Sequence, residues 1–249
     1  MKIQKYEKKK NGMYQVFFDN GYDVDLHEEI ILKYGLLIKK EADDKEIEKM
    51  LGENKKYIAY NMSIKYLTSK MKSIKEMKDY LYKNNFDKDI VNDVIDLLKK
   101  EKYLDDSAYS KAFINDKILL SNDGPNKVRN KLNELGVDKD IIEKSIITFT
   151  DKLQEERIKK IADKQIAINK NKSAYILKNK ITEYLYNLGY DKSLILNYME
   201  KVSIKDDKEL VKKEYDKIYK KLSKKYSGSE LEYKVKQKMY SLGFNTYNE

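Results

Sequence analysis

Tyr103-Leu104-Asp105-Asp106-Ser107-Ala108-Tyr109-Ser110-Lys111-Ala112-Phe113-Ile114-Asn115-Asp116-Lys117 leads, after a short gap, to Asp123-Gly124-Pro125-Asn126-Lys127-Val128-Arg129-Asn130-Lys131-Leu132-Asn133-Glu134-Leu135-Gly136-Val137. The stretch predicts two helices separated by a hard break. Asp105 or Asp106 can accept from the free N–H groups of a first helical turn. Tyr109, Ala112 and Phe113 then share one face. Gly124 closes the connection. Pro125, the only proline in the chain, opens the second helix where no N–H is needed. Val128, Leu132 and Leu135 make its apolar stripe, and Gly136 supplies the left-handed stop.

The second half of this stretch recurs. Measured from Val137, the same pattern ends at Phe86, Tyr190 and Phe244, steps of 51 to 54 residues. Five residues before each anchor stands Leu81, Leu132, Leu185 or Met239. Nine before stands Met77, Val128, Ile181 or Val235. Immediately before stands Asn85, Gly136, Gly189 or Gly243, all tolerant of a left-handed cap. Asp87, Asp138 or Asp191 follows as an N-cap. The next helix repeats as well: Ile90, Val91, Val94, Ile95 and Leu98 correspond to Ile141, Ile142, Ser145, Ile146 and Phe149, and to Leu194, Ile195, Tyr198, Met199 and Val202. The expected fold is mainly α, tandem three-helix repeats in an elongated curved array. Helices are expected near 55–71, 73–84 and 88–101; 106–120, 125–135 and 139–150; 152–170, 173–188 and 191–202; and 206–226 and 229–242.

Residues 1–26 differ. Ile3–Lys8, Met13–Phe18 and Tyr22–Leu26 read as short strands joined at Asn11-Gly12 and Asn20-Gly21. Helices near 26–34, ending at Gly35, and 43–51 follow. The expected divisions are a small N-terminal β/α domain (1–52), three helical repeats (53–103, 104–151, 152–204) and a partial fourth (205–249).

Tyr103-Leu104-Asp105-Asp106, the Gly124-Pro125 break, Arg129, Leu132 and Gly136-Val137 resemble the signature of the RecX family, regulators of the RecA recombinase. The resemblance covers roughly residues 55–205. It implies a non-enzymatic protein that binds RecA and the RecA–single-stranded-DNA filament and depresses recombination, ATP hydrolysis and co-protease activity. Positions the family often fills with arginine, Lys117 among them, are lysine here, and lysine cannot make arginine's two-pronged contact.

The residues themselves exclude several chemistries. With no cysteine, the chain has no disulfide, thiolate metal site or thiol nucleophile. His27 is the only histidine, so a histidine cluster has no second member. No phosphate-cradling glycine loop is present. Asp105 and Asp106 read as caps rather than a Mg²⁺ pair. No catalytic residue, cofactor or metal is expected. The N-terminus lacks the apolar core of a signal peptide, and no run spans a bilayer. A cytoplasmic location is therefore expected; a monomer is the expected state.

The net charge of +10 is uneven: residues 151–249 hold 23 Lys+Arg against 15 Asp+Glu. Candidate contacts to single-stranded DNA or the filament are Lys117, Lys127, Arg129 and Lys131; Lys170, Lys172, Lys178 and Lys180; and Lys212, Lys213, Lys220 and Lys221 within a longer lysine series that runs to Lys238. Tyr175, Tyr184, Tyr186, Tyr215, Tyr219 and Tyr226 interleave with them and are candidates for base stacking, although most tyrosines at helical spacing are core. A helical-repeat scaffold for an acidic protein, with no role on DNA, is the alternative reading.

Overall fold

The computed structural model describes residues 1–169 and 171–244. It is mainly helical, with one small antiparallel sheet, and divides into two compact bodies. The first comprises Met1–Tyr109 with Leu135–Asp138; the second comprises Ser110–Glu134 and the chain from Lys139 onward.

In the first body, strands β1 (Ile3–Lys8), β2 (Met13–Phe18) and β3 (Asp23–His27) form a sheet in the order β1-β2-β3. The first turn is the mirror-image hairpin type: Asn11 and Gly12 have φ of 56° and 72°, and the Met13 N–H donates to the Lys10 carbonyl. At the second turn only Gly21 is left-handed (φ 83°). Alternation places Val16, Phe18, Val24 and Leu26 on the inner face. Leu26, where the expected third strand and first helix overlap, is a strand residue, as the strand pattern predicts, and the helix begins two residues later. Helix α1 runs Glu28–Lys33 and α2 Leu36–Lys39.

Helix α3, Asp44–Leu67, replaces two expected helices with one of 24 residues. Its N-terminus carries a capping box: Asp43 accepts from the Glu46 N–H and Glu46 accepts from the Asp43 N–H. Gly52 lies just past the expected end of the 43–51 helix, but a glycine with open space around it is tolerated inside a helix at a cost of about 1 kcal/mol. Helix α3 therefore crosses the expected boundary at 52/53. Its Ile47 and Met50 join the sheet core, whereas Ala59 joins the core of α4 (Ile74–Lys83) and α5 (Lys88–Lys100). Asn54 ties the two parts, accepting from the His27 N–H and donating to the Asp25 carbonyl. His27 is a structural residue: its Nδ1 accepts from the Glu29 N–H, and its ring lies 4.6 Å from that of Tyr57.

Helix α6 (Asp106–Leu120) links the bodies, and its buried face is Tyr109, Ser110 and Ile114 rather than Tyr109, Ala112 and Phe113. The remaining helices are α7 (Pro125–Glu134), α8 (Lys139–Ile146), α9 (Asp151–Ile168), α10 (Ala174–Asn187), α11 (Lys192–Lys201), α12 (Lys208–Leu222) and α13 (Gly228–Ser241). Every residue five or nine positions before an anchor is buried, including Leu81, Leu132, Leu185 and Met239. In the second body, α9, α10 and α11 enclose one core, and α12 with α13 enclose another.

Candidate nucleic-acid interface

The repeats are joined by one recurring contact. In the second body, the left-handed turn ending α10 lies on the first turn of α7. There the Gly124 N–H donates to the Leu188 carbonyl at 2.6 Å and the Asn126 N–H to Gly189 at 2.9 Å. The turn ending α13 lies likewise on the first turn of α10, where Ser173 Oγ donates to the Leu242 carbonyl at 2.7 Å. In the first body, Ser73 Oγ donates to the Leu135 carbonyl at 2.7 Å. The open N–H end of each helix thus meets the open carbonyl end of another, which satisfies groups that helix termini leave unpaired.

The two acidic pairs serve the same junctions. Asp105 accepts from the Ser107 and Ala108 N–H groups and caps its own helix. Asp106 reaches across and accepts from the Ile74 N–H of α4 at 2.9 Å. About 100 residues later Asp207 caps its own helix, while Asp206 accepts from the Ala174 N–H of α10. Burial pushes the Asp106 carboxyl up, partly offset by the Ile74 N–H. Both pairs are occupied structurally, and the described residues hold no group of three or more His, Cys, Asp or Glu arranged for a metal. Of the other motif residues, Leu104, Gly124, Pro125 and Leu132 are buried, whereas Tyr103 is exposed.

The candidate cations fall into two classes. Those of the second repeat are paired within the chain. Asp123 holds Lys117 at 3.0 Å and Lys127 at 2.8 Å. Burial pushes its carboxyl up, but the hydrogen bonds and charges of the two lysines outweigh burial and the net direction is down. Arg129 donates to both oxygens of Glu143 and to the Asn126 side chain, and Lys131 lies 2.7 Å from Glu134. Lys172 donates to Asn169. By contrast, no ion pair or hydrogen bond among the described residues engages the ammonium groups of Lys178, Lys180, Lys212, Lys213, Lys220 or Lys221. Lys170 lies outside the described residues.

Helical phase separates the last four further. On α12 the buried stripe follows Ile218. Lys213 and Lys220 stand opposite it, whereas Lys212, Lys217 and Lys221 lie toward the flanks, Lys217 paired with Glu214 at 3.4 Å. The six candidate tyrosines also divide. Tyr175, Tyr184, Tyr186 and Tyr219 are exposed, but Tyr215 and Tyr226 pack on the α12–α13 core. Tyr233 and Tyr240, which sequence reasoning missed, are 63% and 71% exposed.

One cation found only in the structure is internal. Arg157 of α9 donates to the Ile118 and Ser121 carbonyls at the end of α6 and to Tyr190 Oη, and Tyr190 donates to the Asn122 carbonyl. Five forked donors let one arginine close the carbonyl end of a helix.

Comparison with known proteins gives a consistent picture. Residues 59–98 match the model for the RecX first three-helix domain and residues 105–146 that for the second. The regulatory protein RecX of Halalkalibacterium halodurans is 31% identical over 247 residues, 96% of this chain and 93% of that protein. That of Streptococcus uberis is 29% identical over 252 residues, 99% and 96% of the two chains. A crystal structure of regulatory protein RecX shares the fold at a TM-score of 0.66, with 24% identity, covering 79% of this chain and 98% of its own. A crystal structure of RecX from Lactobacillus salivarius covers 60% and 99% at a TM-score of 0.57 and 24% identity. No helix among the described residues is long and apolar enough to cross a membrane.

Proposed function

This chain belongs to the RecX family, and we propose that it regulates the RecA recombinase by binding the RecA–single-stranded-DNA filament and depressing its activities without catalysing a reaction itself. The relatives are named regulatory proteins. The observation that carries the DNA part of the reading is a set of lysines on α10 and α12 with no ion pair among the described residues, exposed except for the half-buried Lys178. Such faces neutralise phosphates and release condensed counterions. The paired cations of α7 serve the fold first and contact a partner only if they give up Asp123 or Glu143. The recurring helix junction supports the protein part: repeats joined in the same way present similar surfaces, and weak contacts made by linked surfaces gain from effective concentration. In this reading one copy of the chain, acting in the cytoplasm, touches both strand and protomers.

The test is co-sedimentation with RecA assembled on single-stranded DNA, beside RecA alone and bare DNA. Retention on the filament, with weaker retention on bare DNA that falls steeply with salt, is the expected result. Failure to bind the filament would contradict the reading. Binding to RecA alone with no affinity for DNA at low salt would support the protein scaffold instead.

A further inference from the structure

The internal register that aligns the repeat cores also aligns an outward-facing pair. Four residues before the anchors stand Tyr82, Asn133, Tyr186 and Tyr240; eight before stand Lys78, Arg129, Thr182 and Lys236. The two positions are four apart on one helix, so they are neighbours on its surface. The core positions, five and nine before the anchor, are buried throughout, and the four-before positions are all exposed. Tyr82, Tyr186 and Tyr240 are 45%, 61% and 71% exposed. A large aromatic thus stands at the same outward position in three of four repeats, outside the buried cores. In the second body these positions recur along α7, α10 and α13, which meet end to end through the glycine junctions. Lys178 and Lys180 add charge elsewhere on α10.

We propose that this register position is a base-stacking site for single-stranded nucleic acid, with Tyr186 and Tyr240 in the second body, and Tyr82 in the first, each taking one base face. Lys236 and Lys78 take the neighbouring phosphates. The chemistry selects the occupant. An exposed tyrosine offers a flat face to any base, while a cation one helical turn away offers charge to the backbone. The tyrosine recurs in three repeats and the full tyrosine–lysine pair in two, on α4 and α13, which suits a polymer with a repeating base and phosphate. Asn133 breaks the series on α7, the repeat whose Arg129 is tied to Glu143. That repeat therefore contributes least. The proposal rests on the regulatory reading above only in taking a single strand as the ligand.

The test uses the full chain and an oligo-dT of about 30 nucleotides, longer than the roughly 4–16 nucleotides covered by one single-strand-binding domain. Tyr186→Ala and Tyr240→Ala should each weaken binding about 5-fold or more. Tyr186→Phe and Tyr240→Phe, which keep the ring, should bind like the parent. Tyr22→Ala is the control: an exposed tyrosine at the turn before β3, outside the helical repeats, it should leave affinity unchanged. Circular dichroism checks the fold of each variant. Because the chain has no tryptophan, Tyr186→Trp supplies a single indole whose emission a stacked base should quench. Unchanged affinity in both alanine variants would overturn the proposal. So would phenylalanine variants as weak as alanine, an unquenched indole, or a parent protein that binds no oligo-dT at low salt. Inhibition of RecA measured in parallel keeps the two readings apart. Lost inhibition with intact oligo-dT binding assigns the tyrosines to a protein contact and overturns the stacking site. Lost oligo-dT binding with a parent protein inert toward RecA sustains the site and removes the regulatory reading.

Discussion

Gly189 and Lys127 approach so closely that a Cβ on the glycine would lie 2.5 Å from the Lys127 backbone nitrogen. Gly189 has a φ of 87°, so the left-handed turn and the close approach both demand glycine at one position. Gly136 against Lys75 and Gly243 against Ser173 meet the same two demands. Asn85 holds the corresponding place in the first repeat with a φ of 62°. It is exposed, and its turn takes no such contact among the described residues, so the left-handed turn is the only demand there and asparagine meets it.

Gly189→Ala should therefore cost about 2 kcal/mol or more, combining left-handed strain with displacement of packed backbone. Gly21→Ala, equally left-handed at φ 83° but with nothing near its Cβ, should cost only about 1 kcal/mol. Denaturant unfolding of both variants checks this. Equal losses would show that backbone strain alone selects glycine at the junction.

Leu132 is fully buried at a repeated core position. Leu132→Ala should cost about 2–5 kcal/mol. A thermal melt indistinguishable from the parent's would contradict the core register.

Arg157→Lys should destabilise the second body by about 2 kcal/mol, because one ammonium cannot replace forked contacts to two carbonyls and Tyr190 Oη. Tyr190→Phe, which leaves the arginine's backbone contacts, should cost about 1 kcal/mol. Chemical denaturation distinguishes the two. A lysine variant as stable as the parent would show that Arg157 closes nothing.

Asp123 has a carboxyl held below its ordinary value despite burial, by Lys127 and Lys117. A folded pKa beneath the unfolded value near 3.9 gives stability that is present above about pH 4 and lost as the pH falls through the folded value. Asp123→Asn should be less stable than the parent at neutral pH, and the difference should close below about pH 4. A difference that does not change with pH would contradict the ion-pair account.

Much of the fold was legible because burial imposes a period. Residues five and nine before each anchor must face inward, and that spacing marks the helices α4, α7, α10 and α13 between Ile74 and Ser241. The continuity of α3 was hidden by Gly52, a local breaker overruled by two cores that both need one helix. The partners of Asp106 and Arg157 were hidden for a different reason. Each bonds a residue more than 30 positions away, and spacing carries no sign of that. The candidate cations were legible as residues but not as free charges, since pairing with Asp123, Glu143 and Glu134 depends on the folded chain. Tyr82, Tyr186 and Tyr240 stood in register all along. What marks them is exposure, together with the break at Asn133, and neither can be weighed until the core positions beside them are seen to be buried.

The central claim, that this chain restrains RecA on single-stranded DNA, is tested most directly by titrating the full-length protein into RecA hydrolysing ATP on single-stranded DNA. The account predicts a fall in hydrolysis that saturates with added protein and weakens as salt rises. An unchanged or increased rate at every concentration would contradict it.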